Sequence, residues 1–294
     1  MYSLDYVCEL RIQNPNGLNN FTEIGGVHLP GRTNDDVAII YGTSMSISTN
    51  IPSILCDTFP NLRQISLIRY GIERIDEDSF KNCKNLVYLY LGSNSISEIH
   101  ERSFSDNLML ERLDLADNRL TTLPENVFVD QRNLTSLTLS HNSFIDIPNN
   151  IFDSLTKLNY LALTDCQLSH LKVQWFRNLV TLRTLELQSN QLEELPRHIF
   201  DPLQSMYSIN LDSNQFKVIH SDWFGILSNF RIIQLNDNQI NAVDERFVDN
   251  NAVLKLGMLN NICVNYDIYD NSQSKEIMRE ILQTCFDNYQ AMYL

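Results

Sequence analysis

The side chains with the most definite chemistry in this chain are six cysteines, Cys8, Cys56, Cys83, Cys166, Cys263 and Cys285. A thiol can cross-link, ligate a soft metal or act as a nucleophile, and the groups spaced around it decide which. No paired CxxC spacing for zinc occurs and no HExxH; the six histidines, His28, His100, His141, His170, His198 and His220, are dispersed. Gly25-Gly26 lacks the Lys-Ser/Thr that a phosphate-binding loop requires. Acidic residues are numerous but scattered. These observations point away from catalysis, from a metal centre and from any cofactor. Two kinds of chemistry remain. One is disulfide cross-linking. The other is surface recognition by Tyr88, Tyr90, Arg112 and Asp114, since tyrosine and arginine are favoured anchors of protein interfaces.

A ruler of 24 residues sets the position of these groups. It runs through Leu62, Leu86, Leu110, Leu134, Leu158, Leu182, Met206 and Phe230, all large and apolar. Three residues further on stand Leu113, Leu137, Leu161 and Leu185, and two beyond those Leu115, Leu139, Leu163 and Leu187. One unit reads Leu110-x-x-Leu113-x-Leu115-x-x-Asn118-x-Leu120-x-x-Leu123-Pro124-x-x-x-Phe128. Around Leu113 to Leu115 apolar and polar residues alternate with the strand period. Such a short strand cannot close its own edges, so it pairs with its copies, and copies of one direction make a parallel sheet. Asn94, Asn118, Asn142, Asn190, Asn214 and Asn238 follow the strands at a sharp turn, where an amide both donates and accepts and so links neighbouring coils. Tyr70 and Cys166 take that slot in two coils. Phe80, Phe104, Phe128, Phe152, Phe176, Phe200 and Phe224 form a second buried column behind the sheet.

The ends leave this register. It slips by one residue between Val243 and Phe247, and a degenerate coil continues through Val253, Leu256, Met258 and Asn261. Cys263 follows where earlier coils carry an apolar residue. Ile277, Met278, Ile281, Leu282 and Cys285 share one face of an expected helix. The reading is a helical cap over 263–294 pinned by a Cys263–Cys285 bridge. At the front, Ile51-Pro52 falls on the Leu-Pro slot and Cys56 on the phenylalanine slot, which predicts a tether to Cys8 in the strand-like Tyr6-Val7-Cys8-Glu9-Leu10. Residues 1–50 are then an N-terminal cap with turns at Gly17, Gly25-Gly26 and Pro30-Gly31, and 51–262 hold the repeats. Cys83 and Cys166 read as small buried apolar residues.

The formal charge is −14, from 36 acidic and 22 basic side chains. That argues against a nucleic-acid partner, which needs a basic stripe, and against an anionic membrane surface. No apolar run reaches the roughly 20 residues of a membrane span. Cysteine pairs at both ends imply an oxidising compartment. Two sequons, Asn20-Phe21-Thr22 and Asn133-Leu134-Thr135, offer glycan acceptors. Met1-Tyr2-Ser3-Leu4-Asp5-Tyr6 has neither the charged nor the apolar stretch of a signal peptide. Either the chain is numbered here as a mature or truncated form, which is the reading preferred, or it stays in the cytosol.

With these residues in place, the LxxLxLxxNxLxxLPxxxF pattern resembles the leucine-rich repeat family, over about residues 50 to 265. It is similar to the typical 24-residue class of extracellular proteins. In overall style it also resembles arthropod secreted proteins related to the mosquito leucine-rich immune proteins and to the Toll and Slit ectodomains. The resemblance implies an α/β right-handed solenoid, a curved horseshoe with a concave parallel sheet and an irregular convex side. It also implies disulfide-bonded caps and a ligand surface on the concave face. Of the outward strand positions, Tyr88, Tyr90, Arg112, Asp114, Tyr160 and Glu186 are the binding candidates. The face turns acidic towards Glu186 and Asp212, which would steer in a partner with a basic patch. The principal expectation is a secreted, non-enzymatic module that binds a protein or glycan in innate immunity or cell-surface signalling. The alternative is an extracellular-matrix protein that assembles without a dedicated ligand site.

Overall fold

The computed structural model describes residues 6–10, 31–42, 51, 53–224, 230–250, 255–269 and 275–293. Two compact units divide the chain, Met1–Leu158 and Asn159–Leu294. In the first, β1 (Tyr6–Leu10), β2 (Val37–Gly42), β3 (Gln64–Ser66), β5 (Tyr88–Tyr90), β7 (Arg112–Asp114) and β8 (Ser136–Thr138) pair in parallel, each with the next. A lateral pair, β4 (Arg74–Ile75) and β6 (Glu98–Ile99), joins two adjacent coils away from the main sheet. In the second, β9 (Tyr160–Ala162), β10 (Thr184–Glu186), β11 (Ser208–Asn210), β13 (Ile232–Gln234) and β15 (Lys255–Met258) are parallel, and β16 (Tyr266–Tyr269) runs antiparallel to β15. There the lateral pair is β12 (Val218–Ile219) with β14 (Ala242–Val243). Both units are parallel-strand solenoid.

Each coil is built the same way because each side chain has one place to go. The central strand residue, such as Leu89, Leu113, Leu185 or Ile209, is fully buried, while its neighbours face out. The phenylalanine column is buried as expected, with Phe80–Phe104 and Phe104–Phe128 ring centroids 6.0 and 6.3 Å apart and nearly parallel. After each strand the chain reverses at a residue with φ between 51° and 58°: Arg69, Ser93, Asp117 and His141 in the first unit, Asp165, Ser189, Ser213, Asp237 and Asn260 in the second. None of the nine is glycine, so each turn holds a conformation that L-residues disfavour. In seven of the nine the compensation comes from the asparagine that follows. Asn118 Oδ1 accepts the Ile96 N–H at 2.9 Å, and its Nδ2 donates to Leu91 O at 3.1 Å and Leu115 O at 3.0 Å. Asn190, Asn214, Asn238 and Asn261 repeat the arrangement, which extends the ladder into the degenerate last coil.

The cross-links require a correction. Cys56, on the short helix α1 (Leu55–Thr58), is bonded to Cys83, with Cα atoms 5.1 Å apart, and the expected Cys8–Cys56 bridge is not formed. The reason is a diagonal between coils. Asn107 donates to Phe80 O and Gln131 donates to Phe104 O, each across 27 residues, from the third residue after a phenylalanine to the phenylalanine of the preceding coil. Cys56 and Cys83 occupy the same two slots one coil earlier, and are also 27 apart. The diagonal is covalent in one coil and hydrogen-bonded in the next two. Cys8 lies instead on β1, its backbone opposite Ile40. Residues 37–42, read from sequence as part of an end cap, form a full strand of the main sheet.

At the other end Cys263 is bonded to Cys285. Cys285 lies on α3 (Lys275–Tyr293), which packs on β14 and on α2 (Arg246–Asn250). Its buried face is Met278, Leu282, Cys285 and Phe286, while Ile277 is 39% exposed. The stripe is therefore rotated by about a residue from the one expected. Arg279 reaches Glu245 and Asp249, and Asn288 donates to Asn241 O at 2.8 Å, which fixes the helix direction. Beneath it Asp244 is buried. Burial pushes its carboxyl up, but hydrogen bonds from Arg246 and Ser221 and the guanidinium charge prevail and hold it at about 2.

Candidate ligand-binding face

The outward sheet positions of the first unit form two columns. Register places Ile39, Gln64, Tyr88, Arg112 and Ser136 in one, and Tyr41, Ser66, Tyr90, Asp114 and Thr138 in the other. The four predicted residues Tyr88, Tyr90, Arg112 and Asp114 are therefore brought together on adjacent strands. The Arg112 guanidinium carbon lies 5.8 Å from the Tyr88 ring centroid, in reach of the ring face. Arg112 and Asp114 do not form the simple surface ion pair that their spacing suggests. Asp114 turns instead to its own loop and accepts the Ala116 N–H at 2.9 Å. Its carboxylate fills the space beside Gly92, where a Cβ would lie 3.4 Å from Asp114 Oδ2.

Tyr41 is the residue that sequence reasoning missed. It is 39% exposed and precedes the in-phase repeats, so no ruler marks it. The signal was the continuous apolar run Val37-Ala38-Ile39-Ile40-Tyr41, of which Val37 and Ile40 are buried.

In the second unit the register runs Ala162, Glu186, Asn210, Gln234, Gly257 and Asp267 along one column, with Tyr160, Thr184, Ser208, Ile232 and Lys255 beside it. Tyr160 and Glu186 are half-buried on the adjacent strands β9 and β10, diagonal to one another in the register. Burial raises the Glu186 carboxyl above its usual value, partly offset by an Asn210 hydrogen bond and reinforced by the nearby Asp212 charge. Asp212 is likewise raised by burial, against hydrogen bonds from Asn236, whose N–H donates at 2.7 Å. The Asn236 amide needs Gly257 beneath it: a Cβ there would come within 2.8 Å of Asn236 Nδ2. The sheet face of the second unit is amide-rich and acidic.

A cleft of about 680 Å³ lies elsewhere in the same unit, among Leu171, Leu195, Arg197, Lys217, His220 and Trp223. It contains none of the sheet-face candidates and carries both signs of charge, with Arg197 bridged to Asp222 at 3.2 Å. His220 is not the solvated turn residue that its slot suggests. Its ring meets Trp223, Tyr289 and Tyr293, and Nδ1 lies 3.2 Å from Tyr289 Oη, so it serves the docking of α3. His100, in the equivalent slot, is exposed. Among the described residues no group of three or more His, Cys, Asp or Glu side chains is arranged to hold a metal ion. No helix among them is long and apolar enough to cross a membrane. Of the two sequons, Asn133 is half-exposed and Asn20 lies outside the described residues.

Comparison with known proteins agrees with the coil geometry. A family model for the BspA type leucine rich repeat region matches residues 49–178 in six copies, and a second leucine rich repeat model matches 156–216 and 204–261. No curated protein sequence matches significantly. Among solved structures, the glycosylated Toll–Spatzle complex of Drosophila aligns with a TM-score of 0.69 at 23% identity, over 85% of this chain and 36% of that one. The APL1 leucine-rich repeat domain aligns with a TM-score of 0.65 at 21% identity, over 78% and 57%. TLR13 in its complex with ssRNA13 aligns with a TM-score of 0.61 at 21% identity, over 77% and 36%. The chain thus spans between about a third and three-fifths of the length of these structures. The matched models cover the coils whose strands, asparagine ladder and phenylalanine column are described above, and the chain belongs to the leucine-rich repeat proteins.

Proposed function

We propose that this protein is an extracellular, non-enzymatic recognition module that binds a protein ligand on the exposed face of its sheet. The observation that carries this reading is the Tyr41, Tyr88, Tyr90 and Arg112 surface, where the Arg112 guanidinium, with no ion pair among the described residues, lies over the half-buried Tyr88 ring beside Tyr90, and Tyr41 stands two strands away in the Tyr90 column. Large rigid rings with a cation beside them are what interface hot spots are made of. Two disulfides support an oxidising location. Likeness of fold to Toll and APL1 favours a role in innate immunity or cell-surface signalling. TLR13 is solved with ssRNA, so the fold itself admits a nucleic-acid ligand. Here the charge of −14 and the acidic sheet face of the second unit favour protein over RNA.

On the second unit, Glu186 and Asp212 supply a preference for a basic partner patch. Both carboxyls are raised, so attraction for such a patch fades on acidification at a higher pH than ordinary surface carboxylates would give. The test is a photo-crosslinking amino acid placed at position 90 on the sheet face, with position 125 on an exposed turn as control. Crosslinks to ligand from position 90, and loss of about tenfold or more in affinity for Tyr88→Ala and Arg112→Ala, are expected for anchors each worth at least ~1–2 kcal/mol. Crosslinks from position 125 alone, with both variants binding normally, would rule the location out.

A further inference from the structure

We infer that Asn133 carries an N-linked glycan whose first sugars lie over Leu108 and Met109. Asn133 opens the sequon Asn133-Leu134-Thr135 and stands half-exposed just before β8. Its side chain belongs to an edge series. Asn85 Nδ2 donates to Pro60 O at 3.2 Å, and Asn133 Nδ2 donates to Leu108 O at 2.9 Å, each to the carbonyl 25 residues earlier. Only the latter has a hydroxyl residue two positions on, so it alone of the pair can be an acceptor. A purely structural asparagine would suit this slot equally, so the sequon alone decides nothing.

The surroundings decide it. Leu108 and Met109 are 54% and 53% exposed, side by side, one coil before Asn133 at the same edge. The equivalent positions in the other coils of this unit are Pro60-Asn61, Lys84-Asn85, Arg132-Asn133 and Thr156-Lys157, none of them a pair of large apolar side chains. Leu108 and Met109 thus form an adjacent pair of exposed apolar side chains at this edge, and the backbone carbonyl of Leu108 already holds the acceptor amide beside them. The apolar faces of the first sugars can cover this pair. In the transfer, Asn133 Nδ2 gives up one of its two hydrogens as a proton and bonds to the anomeric carbon of a lipid-pyrophosphate-linked oligosaccharide. The pyrophosphate leaves with the electron pair of the broken C–O bond. The remaining N–H keeps its bond to Leu108 O, and Oδ1 still accepts from Lys157 Nζ at 2.7 Å. The glycan therefore adds to the folded edge without undoing it.

The inference rests on the extracellular reading only for the natural route of the chain, and the test removes that dependence. The full chain is expressed behind a heterologous secretion signal in glycosylating eukaryotic cells. Molecules oxidised at Cys263–Cys285 are selected, and the Asn133 peptide is weighed before and after peptide-N-glycosidase. Conversion of Asn133 to aspartate on release, lost in Thr135→Ala, is expected. An unmodified Asn133 in oxidised molecules overturns the site and leaves the extracellular reading untouched. Glycosidase-treated protein is then expected to bind more anilinonaphthalene sulfonate than glycosylated protein, with no such rise in the Leu108→Ser/Met109→Ser double variant. Equal dye binding by glycosylated and treated protein overturns the covering role, as does a rise that persists in the double variant.

Discussion

Replacing the asparagine of one coil by alanine should cost far more at Asn190 than at Asn214, although both hold the same slot. Asn214 Oδ1 accepts one N–H, from Leu192 at 3.1 Å. Its Nδ2 donates to Leu187 O and Leu211 O, but each of these also receives an amide from the neighbouring asparagine, Asn190 at 2.9 Å and Asn238 at 3.0 Å. Asn214→Ala thus strands one buried donor, at about 1–3 kcal/mol. Asn190 Oδ1 accepts two N–H groups, Cys166 and Leu168, both at 3.0 Å. Its Nδ2 is the donor to Leu163 O at 2.8 Å, and no second amide reaches that carbonyl because the preceding coil has Cys166 in place of asparagine. Asn190→Ala therefore strands the Leu168 N–H and the Leu163 carbonyl and takes the acceptor from Cys166 N–H, at about 3–6 kcal/mol. Urea unfolding followed by circular dichroism, with amide exchange at Leu168 to localise the loss, gives both values. Cys166→Asn in the Asn190→Ala background should recover part of the deficit, since an asparagine there can donate to Leu163 O as Asn214 does to Leu211 O. Equal costs at the two sites, or no recovery, would refute the reasoning.

Three further outcomes are expected. Cys83→Ser should lower stability by about 2–4 kcal/mol and Cys8→Ser should leave the Cys56–Cys83 bridge in place, read from urea melts and a non-reducing peptide map; a Cys8–Cys56 peptide would defeat the diagonal argument. Phe128→Ala, at a fully buried ring between stacked coils, should cost about 3–5 kcal/mol by the same melts, and a loss below about 1 kcal/mol would mean that the coils close over the gap. Asp244 is depressed from 3.8 to about 2, so its contribution is complete above pH about 4 and is lost as pH falls through about 2. At ~1.4 kcal/mol per pH unit that is about 2 kcal/mol, which Asp244→Asn should remove from the acid limb of a stability–pH profile. A variant profile parallel to wild type would count against it.

The coil interiors were legible in the sequence because each buried slot accepts one class of side chain and recurs at a fixed interval. Leu113, Asn118 and Phe128 declare strand, turn and back in a single unit. What the interval does not encode is lateral. The partner of Cys56 depends on a diagonal between coils, and that diagonal shows in the sequence only once Asn107 and Gln131 are seen to occupy one slot. Ile277 was assigned inward because a lone helix pattern tolerates a rotation of one residue, and Arg279 and Asn288 choose the rotation through contacts made elsewhere. On the candidate face, Tyr88 and Arg112 could be placed on neighbouring strands from the ruler alone. Asp114 could not be assigned to its own turn, because a side-chain rotamer leaves no periodic trace. The left-handed turn column was invisible because Arg, Ser, Asp, His and Asn share no property except the asparagine, or Tyr70 or Cys166, that follows.

The diagonal bridge between Cys56 and Cys83 also governs how the molecule responds to being pulled. A stack whose coils hold only their neighbours peels from its termini, one coil after another. Here tension passing Cys56 is carried straight to Cys83 by the covalent bond, so the 27-residue stretch between them stays slack, hiding about 90 Å of contour. The 22-residue stretch from Cys263 to Cys285 is shielded in the same way. Rupture under load must therefore begin outside these loops or in the coils between them, and a reducing agent would change where the chain gives way as well as the force it bears.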